Sequence, residues 1–121
     1  MPRLPLVSSV CLALLGMAAP PAVAQENAAI CKDESSAPDV AIAACTKIIS
    51  VSKAKTNDLA STYYNRAIAY RQKNDLDNAL SDYSDAIKIN PKHARAFNNR
   101  GTIYKEKGDL DRAIADFSDE S

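Results

Sequence analysis

At 121 residues the chain fits one small domain, and loss of an export leader would leave it near the lower limit for a self-sufficient core. Its 15 Lys plus Arg balance 15 Asp plus Glu; scattered as they are, they exclude the basic stripe of a nucleic-acid binder. Three Gly, no Trp and many Ala, Asp, Asn, Lys and Ile favour helices over a turn-rich sheet.

The chain opens like an export signal. Arg3 supplies a positive start, Leu4 to Ala19 is apolar apart from Ser8 and Ser9, and Ala22-Val23-Ala24 places small residues where a signal peptidase reads. Residues 1–24 are therefore expected to be a signal peptide, with a mature chain from Gln25 in a bacterial periplasm and no membrane association after cleavage. Pro20 and Pro21 close the apolar run short of the ~20 residues that a bilayer crossing needs. Cys11 would leave with the leader.

Two cysteines then remain, Cys31 and Cys45. An even count in a small exported domain favours a disulfide between them; a pair of buried thiols is the alternative, since Cys45 lies on an apolar helical face. No Cys-x-x-Cys and no Cys and His cluster occurs, so redox catalysis and zinc lack their usual scaffolding.

Shifting the sequence by 34 residues lays Ala60–Ile87 over Ala94–Ser121. Asn65-Arg66 meets Asn99-Arg100, Tyr70 meets Tyr104, Asp75-Leu76-Asp77 meets Asp109-Leu110-Asp111, Ala79 meets Ala113 and Asp82 meets Asp116. Such density at one fixed offset marks a structural repeat. Within a copy, Tyr63, Ala67 and Tyr70 share one face of a first helix. Leu76, Ala79, Leu80, Tyr83, Ala86 and Ile87 form the i, i+3, i+4, i+7 stripe of a second. Asn74-Asp75 and Gly108-Asp109 write the turn between them, with Asn or Gly ending one helix and Asp capping the next. Small Ala67 and Gly101 are expected to face the second helix near Ala79 and Ala113. Pro91 ends the second helix before the next copy.

These residues resemble the tetratricopeptide repeat: aromatic Tyr63 or Phe97, small Ala67 or Gly101, Tyr70 or Tyr104, Ala79 or Ala113, aromatic Tyr83 or Phe117, Ala86 and Pro91. The chain departs from the pattern at Arg66 and Arg100, which replace the usual Leu; an Arg stem can cover apolar surface with its head in water. The resemblance implies an all-α fold of antiparallel helix-turn-helix repeats, stacked as a short right-handed superhelix. One full repeat is assigned to residues 60–93 and a truncated second to residues 94–121. Residues 25–59 then read as a degenerate leading half-repeat and linker. Pro38-Asp39 opens its second helix, with a stripe of Ala41, Ile42, Cys45, Ile48 and Ile49, after a short first helix around Asn27 to Lys32. A Cys31–Cys45 bridge would pin that short helix. At the far end Glu120 and Ser121 replace the last apolar turn, which leaves the array without a solvating cap.

No catalytic residue, metal or cofactor is assigned. His93 beside Pro91 reads as an exposed turn residue, Asp75 and Asp109 as caps, and Asp82 and Asp85 as members of a polar helix face. Family resemblance instead implies a binding module in which first helices line a groove for a protein or peptide. Groove-facing candidates are Tyr64, Asn65, Ile68 and Arg71 from one copy and Arg95, Asn98, Asn99, Thr102 and Lys105 from the next. Asn side chains offer a peptide backbone donor and acceptor together, so Asn65→Ala plus Asn99→Ala is expected to weaken binding by about 1–3 kcal/mol with little effect on folding. Two other readings stand beside this one: an assembly element that self-associates through the uncapped C-terminal end, and a truncated remnant of a longer array.

Overall fold

The computed structural model describes residues 22–119, so the expected leader up to Pro21 lies outside the described residues, as do Glu120 and Ser121. Among the described residues there are six helices: α1 (Ala22–Lys32), α2 (Pro38–Val51), α3 (Asn57–Gln72), α4 (Leu76–Ile89), α5 (Ala94–Glu106) and α6 (Leu110–Asp119). Consecutive helices pack as hairpins, α1 on α2, α3 on α4 and α5 on α6; α2 on α3 and α4 on α5 join one hairpin to the next. The result is an all-α stack of helical hairpins.

Turn chemistry sets the hairpins. Asn74 (φ 60) and Gly108 (φ 84) hold the left-handed conformation, which costs Gly nothing and Asn little. The Asp75 N–H then donates to the Tyr70 carbonyl (2.9 Å), as Asp109 N–H does to Tyr104 (2.8 Å), closing each helix with a Schellman motif. One residue on, the Asp75 carboxylate accepts from Asn78 N–H (3.3 Å) and the Asp109 carboxylate from Arg112 N–H (3.2 Å), starting the next helix. Both turns match the sequence reading.

The leading hairpin departs from it. Its first helix begins at Ala22, five residues before the expected Asn27, and takes in Ala22-Val23-Ala24. Cys31 and Cys45 are bridged, with their Cα atoms 5.0 Å apart. Both are buried with Ala44, flanked by Ile30 and Ile48, and Cys31 is the one buried residue of α1.

Each second helix buries the same pattern: Ala41, Ala44 and Cys45 in α2, then Ala79, Asp82, Tyr83 and Ala86 in α4. The acid in that stripe corrects the expectation that Asp82 lies on a polar face, since Asp82 is 2% exposed and its repeat partner Asp116 3%. Arg66 and Arg100 are the reason. Arg66 donates from Nε and Nη2 to both Asp82 oxygens, each at 2.7 Å, and Arg100 grips Asp116 the same way at 2.8 and 2.7 Å. The third guanidinium arm reaches the preceding second helix, Arg66 to Thr46 Oγ1 and Arg100 to Ser84 Oγ, both at 3.1 Å. Each head also sits between two rings, Tyr63 and Tyr70 around Arg66, Phe97 and Tyr104 around Arg100, a further cation–π attraction. These arginines are thus internal clasps and not the solvated heads that the sequence suggests. Burial pushes the Asp82 carboxyl up, partly offset by the guanidinium, while hydrogen bonding to Asp82 raises Arg66.

His93 is likewise more than a solvated turn residue. Its Nδ1 accepts from Ala96 N–H at 3.2 Å and caps α5, and its ring lies 4.9 Å from that of Tyr64. Burial chiefly, with Arg95 adding to it, holds the imidazole below its ordinary range. Protonation would fill Nδ1 with a hydrogen and set a cation at the positive end of α5. A His pKa lowered on folding means that the unfolded chain binds more protons, so this contribution is complete above about pH 6.5 and is lost as pH falls below it. Urea unfolding between about pH 7 and pH 5 should show a steeper loss of stability for the native chain than for His93→Asn, whose cap does not titrate.

Candidate binding groove

Of the four residues proposed from the first full copy and the five from the second, Tyr64 and Asn99 are in direct contact. Asn99 Nδ2 donates to the hydroxyls of Tyr64 (3.2 Å) and Tyr83 (3.3 Å), and the Tyr64 and Tyr83 rings lie 5.8 Å apart. Tyr83 is fully buried, and that burial pushes its phenol up to about 12 despite the Asn99 hydrogen bond. Tyr64 and Asn99 thus knit α3, α4 and α5 together. Arg71 is paired with Glu106 across α3 and α5. On α5, Arg95, Asn98 and Lys105 are exposed and Thr102 is half-buried, its hydroxyl donating to the Asn98 carbonyl (2.9 Å).

This corrects the expectation that Asn99→Ala leaves folding little changed. Removing the amide strands the hydroxyl of a fully buried Tyr83, a loss of about 1–3 kcal/mol. Thermal or urea unfolding of Asn99→Ala against Asn65→Ala measures the difference, with Asn65→Ala expected to melt close to the native chain.

Asn65 and Asn99 are equivalent in the repeat and differ because their surroundings do. In α2 the position four residues past buried Ala41 holds Cys45, where α4 has Tyr83 past Ala79. A bridged sulfur offers no hydroxyl to an amide, so Asn65 is left facing open space. Asn65 and Ile68 border a crevice against Lys32 and Asp33, and Asn65 also lines a wider groove.

That groove, of about 960 Å³, lies between α1 and α3 over the C-terminal half of α2. Val23, Ala24 and Ala28 line it from α1, Ile48 and Val51 from α2, and Ser61, Thr62 and Asn65 from α3, with Lys32, Lys47 and Asp58 among the polar groups. Cys31 also lines it, placing the bridge directly beneath. Of the nine residues drawn from the sequence only Asn65 lies here. The signal in the sequence is masked by composition: Val23 and Ala24 read as the end of a leader, and Ala28 as part of the short helix that follows it. Mixed apolar surface with a few polar groups at its rim is the chemistry that receives a peptide.

Among the described residues, the opposite end of the stack shows an exposed apolar face. Leu110, Ile114 and Phe117 of α6 are 58%, 64% and 37% exposed, whereas their repeat equivalents Leu76, Leu80 and Tyr83 pack into the core with Ala96 and Ile103 of α5. Gly101 lets α5 approach α6 closely: a Cβ there would stand 2.9 Å from the Phe117 ring and 3.1 Å from Asp116 Cβ. The closest approach is to Asp116 and Phe117, one turn on from Ala113 along the same face of α6.

A family model described as a TPR repeat matches residues 69–108, from the end of α3 through α4 and α5. No curated protein matches. Among solved structures, the crystal structure of MamA is similar, with a TM-score of 0.62 and 28% identity over 69% of this chain and 46% of that one. The chain thus spans less than half the length of that protein. Geometry and comparison agree on one statement: residues 69–108 match a TPR repeat model, within an all-α stack of helical hairpins similar to that of MamA.

Proposed function

We propose that the protein is an exported interaction scaffold that holds an extended or helical peptide of a partner protein in the groove between α1 and α3. The observation that carries this is the apolar groove itself, edged by an Asn65 amide for which no side-chain partner is found among the described residues. On α5, Arg95, Asn98, Thr102 and Lys105 offer a polar continuation of the track. Binding without catalysis is the whole of the proposed activity. Peptides selected from a random display library against the oxidised chain test it. Affinity should fall by about 1–3 kcal/mol with Val51→Asp, which buries a charge at the contact, and by about 0.5–1.5 kcal/mol with Asn65→Ala. Selected peptides indifferent to both changes would rule the groove out.

Export is supported by the order of Arg3, apolar run and Ala-x-Ala, and it suits a small domain stapled by a disulfide. Cleavage after Ala24 would trim the first three residues of α1 and leave Asn27, Ala28 and Cys31 in the groove wall. An intact mass beginning at Gln25, from protein recovered outside the cytoplasm, is the expected result; a mass that retains Met1–Ala24 refutes it.

A second reading, self-assembly through the C-terminal end, is favoured by the uncovered Leu110, Ile114 and Phe117. Sedimentation should then show size rising with concentration for the native chain, and a monomer at all concentrations for Ile114→Asp. A native chain that stays monomeric removes this reading without touching the first.

A further inference from the structure

We infer that the Cys31–Cys45 bridge gates the groove, so that peptide binding and reduction of the bridge oppose each other; the inference rests on the groove reading above. Helix α1 supplies one wall, including Asn27 and Ala28, yet buries Cys31 alone and has no acidic residue in its first turn. At 11 residues it is shorter than an isolated helix that holds its shape in water. Its packing is chiefly on α2, with lighter contact to α3, around the small cluster of Cys31, Ala44 and Cys45. Without the bridge, little fastens it to the stack, and the groove loses a wall. The reverse also holds. Cys31 is 4% exposed and Cys45 fully buried, so a reductant reaches the sulfurs chiefly as α1 lifts away from the groove floor that Cys31 lines. A ligand lying between α1 and α3 opposes that lifting.

The chemistry is thiol–disulfide exchange with a dithiol reductant. Its thiolate attacks one bridge sulfur to form a mixed disulfide, and its second thiol displaces that sulfur to close a disulfide within the reductant. Two electrons pass to the protein, and Cys31 and Cys45 each finish as a thiol carrying one proton. Because the linkage is thermodynamic, the factor by which reduction weakens binding equals the factor by which binding disfavours reduction.

The test uses the full chain, with anilinonaphthalene sulfonate as an apolar, anionic probe. Its groove-bound share is the part of the binding removed by Val51→Asp, a change at a residue 74% exposed. Hydrogen exchange follows α1 and residues 57–119 separately. On reduction by dithiothreitol, the Val51-dependent affinity should fall on the order of 100-fold, the factor by which closing a loop of this size favours the docked helix. Amides of α1 should lose protection while those of 57–119 keep it, and saturating probe should slow the appearance of free thiols. Unchanged α1 protection and unchanged Val51-dependent affinity after reduction overturn the gate and leave the groove standing. Loss of protection throughout 57–119 also overturns it, since the bridge would then be a staple for the whole fold. A probe indifferent to Val51→Asp in the oxidised chain removes the groove reading and this inference with it.

Discussion

Asp82→Ala is expected to destabilise the chain by about 3–5 kcal/mol, read as a fall in the urea midpoint at neutral pH. Arg66 is held at 2.7 Å by both carboxylate oxygens, and the Arg66 and Asp82 side chains are 17% and 3% exposed. Removing the acid leaves a guanidinium between two rings with no counter-charge, and an uncompensated buried charge is far more costly than the intact pair is favourable. In a domain whose total stability lies at about 5–15 kcal/mol, such a loss approaches complete unfolding. Replacing both partners with apolar residues, Arg66→Leu with Asp82→Leu, should recover most of it, because no charge is then stranded. A single variant within about 1 kcal/mol of native would show that the pair is solvated and not a clasp.

Loss of the bridge through Cys31→Ala plus Cys45→Ala is the second large effect, at about 3 kcal/mol for a sequence separation of 14 on the chain-entropy model. The cost falls on the leading hairpin, where the bridge sits in a cluster of three buried residues, Cys31, Ala44 and Cys45, and cannot be replaced by neighbouring apolar contacts. Circular dichroism during urea unfolding should therefore show a small early loss of helix, corresponding to α1, ahead of the main transition. The native chain should unfold without that early step. Identical curves for the two proteins contradict the assignment.

Much of this architecture is legible in the sequence because it is written twice. The turns at Asn74-Asp75 and Gly108-Asp109 combine a left-handed residue with a capping carboxylate, and no other local structure suits that pair as well. The apolar stripe from Leu76 to Ile87 likewise has one helical solution. Other features depend on partners that periodicity does not reveal. Asp82 occupies the i+3 place in the buried series Ala79, Asp82, Tyr83, Ala86, a position read as polar from its chemistry alone. The pairing is nonetheless written in the repeat, since Arg66 recurs with Asp82 just as Arg100 recurs with Asp116. His93 reads as a lone imidazole in a turn, although the residue before Ala94 is where a helix needs an acceptor. Asn65 and Asn99 are identical in the repeat pattern, and only the residue across from each, a bridged Cys45 or a buried Tyr83, decides which amide remains available to a ligand. The groove is not legible in the sequence because its α1 wall begins in residues that resemble the end of a leader.

The reading of the chain as a peptide-binding scaffold is tested most directly by mapping a display-selected peptide on the oxidised, nitrogen-15-labelled protein by chemical-shift perturbation. The account predicts that the perturbed amides cluster at 27–32, 46–51 and 58–65, the two walls and floor of the groove. Perturbations confined to Leu110–Asp119, or spread without a cluster, would contradict it.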